Sequence, residues 1–296
     1  MCAESSTNAP TGTEVPPESF IMDRGRLETV RLRIVQSIQT LVDDASADGA
    51  VVAMSGGIDS TVTAALAVEA LGADNVLGLA LPCHKAERAD ARDARTIADG
   101  LGMEFTEIQL RPLLDAFKET VTSELESRID DGDRPHERNC ELGNVIARLR
   151  MCCAYYAANR EHRLVLGTAN RSELLLGYFT KYGDGAADAY PIGDLYKTEV
   201  RALAERIGIP RRIISKPPTA GFWADQTDAG ELGASYETID PLLRRLVDDD
   251  RSVTDAAAEL DLDGETARAI AWLSAETEHK RTLPPTPGLD HLRTPL

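Results

Sequence analysis

Gly49-Ala-Val-Val-Ala-Met-Ser-Gly-Gly-Ile-Asp-Ser60 is the stretch that decides the fold. Its first half, Gly49 to Met54, is a short apolar run, which predicts a buried strand. Ser55-Gly56-Gly57 then reads as a tight turn, and Asp59 to Leu71 as a helix stopped by Gly72. The same rhythm continues downstream. Val76 to Leu81 predicts a second strand, Ala89 to Leu101 a helix closed by Gly102, and Glu104 to Ile108 a third strand. A βαβαβ order implies a parallel sheet with right-handed crossovers. Upstream, Leu27, Val30, Ile34, Ile38 and Leu41 recur at helical spacing, so an amphipathic helix precedes the first strand.

Beyond the third strand, Arg128 to Cys140 is polar and charged and reads as an exposed loop. Leu142, Val145, Ile146, Leu149, Cys152, Cys153 and Tyr156 then make a broad apolar stripe on a helix. Arg163 to Gly167 reads as a fourth strand, and Thr168 to Ala187 as loop around a short helix. Lys197 to Ile207 reads as a helix ended by Gly208-Ile-Pro210, Lys216 to Gly230 as loop, and Asp240 to Thr277 as mostly helical. The expected architecture is one α/β domain over residues 21–283. It has a doubly wound parallel sheet with added N- and C-terminal helices. Residues 1–20 read as a disordered tail and 284–296 as a Pro-rich one.

With 296 residues the chain can bury a substantial core. It carries 49 acidic and 32 basic residues, a net charge of −17. So acidic a chain is not expected to bind nucleic acid, because phosphate backbones need a basic surface. Only six of the basic residues are lysines: Lys85, Lys118, Lys181, Lys197, Lys216 and Lys280. An acidic, lysine-poor surface suits a salty cytoplasm, where screening shortens the Debye length to about 3 Å at 1 M. It also fits a merely acidic protein. Five cysteines without a secretory signal or a Cys-x-x-Cys pair point to a reduced, cytoplasmic protein. No apolar run approaches the ~20 residues of a membrane span.

Ser55-Gly56-Gly57-Ile58-Asp59-Ser60 sits where α/β sheets bind phosphate, at the carboxyl end of a strand and the start of a helix. Glycines let the backbone approach an anion, and Ser55 and Ser60 add hydroxyl donors. The Gly-x4-Gly-Lys-Ser/Thr loop of kinases is absent. An aspartate stands in the loop instead. A carboxylate beside phosphates calls for a cation between them, so Asp59 is a candidate Mg²⁺ ligand. The same hexapeptide could be a capped glycine turn. Glu173, just past the fourth strand, could give a second carboxylate, or be a solvated helix residue. Lys181 and Lys197 lie in glycine- and aromatic-rich loops, and four of the six lysines fall in the motif stretches of the second half, which suggests compact charges aimed at phosphate.

The phosphate loop resembles that of the ATP pyrophosphatases, which cleave ATP between its α and β phosphates. Further motifs narrow this: Gly167-Thr-Ala-Asn-Arg-Ser-Glu173, Gly177-Tyr-Phe-Thr-Lys-Tyr-Gly-Asp-Gly-Ala-Ala-Asp188, and Pro191-Ile-Gly-Asp-Leu-Tyr-Lys197. They continue with Lys216-Pro-Pro-Thr-Ala-Gly221, Gln226-Thr-Asp228, Glu231-Leu-Gly233 and His279-Lys-Arg281. In this order, over residues 24–283, the chain resembles the ammonia-dependent NAD synthetases. The resemblance implies a Rossmann-like fold of the adenine nucleotide alpha hydrolase type. It implies a cytoplasmic homodimer that amidates deamido-NAD with ammonia, with ATP as co-substrate and Mg²⁺ as cofactor, acting on small molecules and neither nucleic acid nor membrane.

By that resemblance, Ser55, Gly56, Gly57, Ile58, Asp59, Ser60, Thr168, Lys197 and Thr219 contact ATP. Asp59 and Glu173 hold the metal. Arg148, Lys181, Asp188, His279 and Lys280 contact the dinucleotide, with Arg148 on a helix that helps form the dimer. Lys197 stabilises the leaving pyrophosphate, and Asp184 is the candidate that binds ammonium and takes its proton. Ala229 departs from the acid many relatives carry after Gln-Thr-Asp. The stretches 128–140 and 216–230 are the expected lids. Cys2 lies in the tail with no base around it, and about fifty residues precede the phosphate loop. Free ammonium rather than glutamine is therefore the expected nitrogen source. The loop is also shared by tRNA thiolases and lysidine synthetases, which need a basic RNA surface. A non-catalytic nucleotide-binding module would not need Asp59, Glu173 and Lys197 together.

Overall fold

A computed structural model describes residues 20–126, 135–219 and 227–287. Helix α1 (Arg24–Asp44) leads into strand β1 (Gly49–Ala53), followed by α2 (Ile58–Leu71), β2 (Val76–Ala80), α3 (Arg88–Leu101) and β3 (Glu104–Glu107). Helices α4 (Arg111–Phe117) and α5 (Ser123–Glu126) come next, then the long α6 (Pro135–Arg160) and β4 (Arg163–Leu166). The second half is helical: α7 (Arg171–Leu176), α8 (Lys197–Arg206), α9 (Arg211–Ile214), α10 (Asp228–Leu232), α11 (Tyr236–Leu243), α12 (Val253–Glu259), α13 (Gly264–Glu276) and α14 (Glu278–Arg281).

The strands form one parallel sheet in the order β3-β2-β1-β4. β1 is central, with Val51 paired to Leu77 on one side and Val165 on the other. Its residues face two cores in alternation, as period-2 geometry requires. Ala50 and Val52 pack with α1, α2, α3 and α8, while Val51 packs with Leu110 and Leu114 near α4 and with Ile146 and Ala154 of α6. Both faces are therefore covered, and the continuous apolar run of β1 follows. A third apolar cluster joins α7 to α11, α12 and α13. The chain winds outward from β1 to β3, then returns to place β4 on the other side of β1. That reversal opens a crevice at the carboxyl ends of β1 and β4.

Three expectations need correction. The stretch 128–140 is not all loop: residues 127–134 lie outside the described residues, but α6 already begins at Pro135. Polar residues there extend a helix whose following turns are anchored in the core; Arg138, Asn139 and Cys140 are exposed. The stretch 216–230 is likewise divided. Residues 220–226 lie outside the described residues, and Asp228 opens α10, with Thr227 as its N-cap accepting from Gly230 N. The expected tail at 1–20 does not reach residue 20; residues 1–19 are outside the described residues. The Phe20 ring meets Tyr196 edge-on at 5.5 Å, and Ile21 N donates to Glu199 Oε1 at 2.7 Å. At the other end, residues 288–296 of the Pro-rich stretch are outside the described residues. Among the described residues no helix is long and apolar enough to cross a membrane.

Candidate active site

β1 ends where the chain must turn sharply into α2. Gly56 makes the turn with φ +76°, in the left-handed region that favours glycine. It is also pressed so closely against Asp90 that a Cβ would lie 2.3 Å from the Asp90 carbonyl oxygen. Gly57 is the N-cap of α2 and no side chain caps the first turn, so the amides of that turn are left for an anion. The hydroxyls brace the turn. Ser55 Oγ lies 3.2 Å from Ser60 Oγ, Gly57 N donates to Ser55 Oγ at 3.3 Å, and Thr61 Oγ1 donates to Gly57 O at 2.7 Å.

Across the crevice, Lys197 at the start of α8 points its ammonium at this turn. Its side chain is 3% exposed, and Nζ lies 2.6 Å from Asp59 Oδ2 and 3.1 Å from Glu173 Oε1. Burial alone would lower the Lys197 pKa; the two carboxylates more than reverse that and hold the ammonium charged. Burial pushes the Glu173 carboxyl up to about 7, with Lys197 opposing the rise and the Asp59 charge adding to it. Asn170, fully buried, ties the pair together. Its Nδ2 donates to Asp59 Oδ1 at 3.0 Å, while its Oδ1 accepts from Glu173 N at 3.0 Å as the N-cap of α7. Glu173 Oε2 in turn accepts from Asn170 N, completing a capping box.

Behind Lys197 sits a third carboxylate, Asp240, fully buried. Asp240 Oδ1 accepts from Ser172 Oγ at 2.6 Å and Oδ2 from Thr198 N at 2.8 Å, while Ser172 Oγ accepts from Lys197 N at 2.9 Å. Burial pushes Asp240 up to about 6 against those hydrogen bonds. Asp228 is buried nearby, 3% exposed, accepting from Tyr236 OH at 2.9 Å. Burial raises its pKa and the Lys197 charge opposes this. The Tyr236 ring lies 5.3 Å from Lys197 Nζ. The sequence alone does not single out Asn170, Ser172, Asp228 or Asp240. Asn170, Ser172 and Asp228 stand inside the motifs of the second half, which is their one signal; Asp240 has none.

The other expected residues lie apart from this centre. Arg148 Nε donates to Lys181 O at 3.3 Å, and Lys181 Nζ donates to the His279 carbonyl, so these three form one chain of contacts. Lys280 Nζ is taken up by the carbonyls of Gly177 and Phe179 at 2.7 and 3.0 Å. Asp188 accepts from Val165 N at 2.7 Å and Tyr155 OH at 3.3 Å, fastening the chain to β4. Asp184 is exposed and accepts from Thr180 N at 2.9 Å across a tight turn. Thr168 is half-buried after β4, and Thr219 is exposed.

No trio of His, Cys, Asp or Glu among the described residues forms a metal cage. Asp59 and Glu173 are nevertheless hard oxygen donors that share one cation, the Lys197 ammonium, at the edge of the phosphate turn. A pair of that kind suits Mg²⁺, which takes one or two protein carboxylates and completes its shell with phosphate oxygens and water.

A phosphate turn and a buried lysine–carboxylate centre at the switch point of an open parallel sheet mark a nucleotide-binding α/β enzyme. The NAD synthase family model matches residues 30–284. An NH(3)-dependent NAD(+) synthetase of Pyrococcus furiosus is 43% identical over 271 residues, 92% of this chain and 98% of that one. Its namesake in Halobacterium salinarum is 39% identical over 277 residues, again 92% and 98%. The solved NMN synthetase of Francisella tularensis superposes with TM-score 0.75 at 32% identity, over 88% of this chain and 98% of that one. The chain belongs to the NAD synthase family.

Proposed function

We propose that this protein is a C–N bond-forming ligase that converts deamido-NAD to NAD with ATP and ammonia. The observation that carries the reading is Lys197, buried between Asp59 and Glu173 and facing the phosphate turn. The nicotinate carboxylate of deamido-NAD attacks the α-phosphorus of ATP, the α–β bridging bond breaks, and pyrophosphate leaves with the electron pair. The uncapped amides of α2 and the Lys197 ammonium stabilise that leaving charge. Bound through Asp59 and Glu173, Mg²⁺ would neutralise the triphosphate. Asn170 holds the two carboxylates in register, and Asp240 and Ser172 hold the start of α8 so that Lys197 stays aimed.

Ammonia then attacks the acyl carbon of the adenylate, AMP leaves, and the amine sheds a proton. Asp184 is the assigned acceptor of that proton, and Arg148, Lys181 and His279 bind the dinucleotide. The apolar stripe of α6 leaves Tyr156 67% exposed, which supports a homodimer packed through this helix. The same reading makes the enzyme cytoplasmic, and the net charge of −17 suits a saline cytoplasm. Pyrophosphate release from ATP tests the reading. Release is expected with deamido-NAD and ammonium; release that needs tRNA instead would favour a tRNA-modifying relative. Substituting nicotinate mononucleotide in the same assay separates a dinucleotide substrate from a mononucleotide one.

A further inference from the structure

Lys216 does not enter the catalytic centre, yet it touches the phosphate turn from behind. Its Nζ lies 2.5 Å from Asp90 Oδ1, 3.1 Å from Asp93 Oδ2 and 3.4 Å from Gly56 O. Asp90 and Asp93 stand in the first two turns of α3, and the Asp90 carbonyl is the atom against which Gly56 is pressed. The turn is therefore held between an α3 backbone group and a lysine that α3 itself anchors. A peptide is planar and trans, so its C=O and N–H point opposite ways. Drawing Gly56 O toward Lys216 turns Gly57 N–H away from α3, toward the side where Ser55 Oγ accepts it at 3.3 Å. Lys216 is also fixed to the chain segment bearing Thr219: two residues on, Pro218 O accepts from Asp228 N at 3.0 Å.

Resting on the reading above, we infer that Lys216, gripped by Asp90 and Asp93, is a positioning residue. It orients the Gly56–Gly57 peptide so that the turn's amides are ready for ATP, without itself binding phosphate. Two carboxylates within 3.1 Å already outweigh its one positive charge, so it has little field left for an anion.

The discriminating experiment compares Lys216→Met with the double variant Asp90→Asn/Asp93→Asn. A phosphate-binding lysine freed from its carboxylates would grip ATP at least as well as before. A positioning lysine freed from them loses its anchorage. Calorimetric titration with ATP and Mg²⁺, without dinucleotide, is expected to show about tenfold weaker binding in both variants. Hydrogen exchange at residues 56–60 is expected to rise in both without ligand, while the core strands keep their protection. The side chains of Asp90 and Asp93 are 33% and 34% exposed, so the double variant should fold even if Lys216→Met does not. ATP binding by the double variant equal to or tighter than wild type, or unchanged exchange at the turn, would overturn the inference. Failure of the wild type to bind ATP would instead overturn the proposed function, and the exchange data would still decide the role of Lys216.

Discussion

Replacing Lys197 with methionine removes the one cation that the described structure places between Asp59 and Glu173. The side chain is 3% exposed and each carboxylate 16%, so water cannot fully take its place. Removing one member of a buried ion pair costs about 3–5 kcal/mol, because the partner charge is left stranded. Here two partners are stranded together, and their repulsion adds to the burial that already lifts Glu173 to about 7. In the variant its pKa must climb further, since Lys197 was the influence opposing the rise. A carboxyl whose folded pKa lies above its unfolded value stabilises the fold at low pH, and that stability drains away as pH rises through the folded pKa. Urea denaturation of Lys197→Met should therefore show a loss of about 3–5 kcal/mol at pH 8 that shrinks toward pH 5.5. Added Mg²⁺ should restore more stability to the variant than to the wild type. Pyrophosphate release should fall at least about a hundredfold at every pH. A variant as stable as wild type at pH 8, with no pH dependence between them, would refute the buried-charge argument.

Asp59→Asn should abolish pyrophosphate release while circular dichroism still shows a folded protein; near-normal release would remove Asp59 from the metal site. With a net charge of −17, the melting temperature should rise from dilute buffer to 2 M KCl as screening tightens; a steady fall would contradict the salt-adapted reading. Purified protein should form NAD with ammonium and turn over poorly with glutamine. Equal rates with the two nitrogen sources, in a preparation free of contaminating glutaminase, would contradict this.

The βα units were legible because they are local. The apolar run of β1, the glycines ending α2 and α3 and the stripe of α6 each follow from neighbours in the chain. The lysine–carboxylate centre was legible only through motif order. Asp59 and Lys197 stand 138 residues apart, and nothing periodic joins them. Asn170 stands in a motif, but its role is hidden there, since its contact with Asp59 spans 111 residues. Asp240 was invisible, because a lone aspartate on a helix reads as solvated until folding buries it behind Ser172 and Thr198. Helices α4 and α5 are hidden in the sequence because charge obscures a weak apolar pattern; Leu113 and Leu125 there, and Val121 between them, stay exposed.

The central claim is that the nicotinate carboxylate itself attacks the α-phosphorus of ATP. Deamido-NAD carrying ¹⁸O in that carboxylate, turned over with ATP and ammonium, tests it directly by mass spectrometry of the products. One labelled oxygen must then appear in the phosphate of AMP, with pyrophosphate unlabelled. Label in inorganic phosphate, with ADP in place of AMP, would mean attack on the γ-phosphorus and would contradict the account.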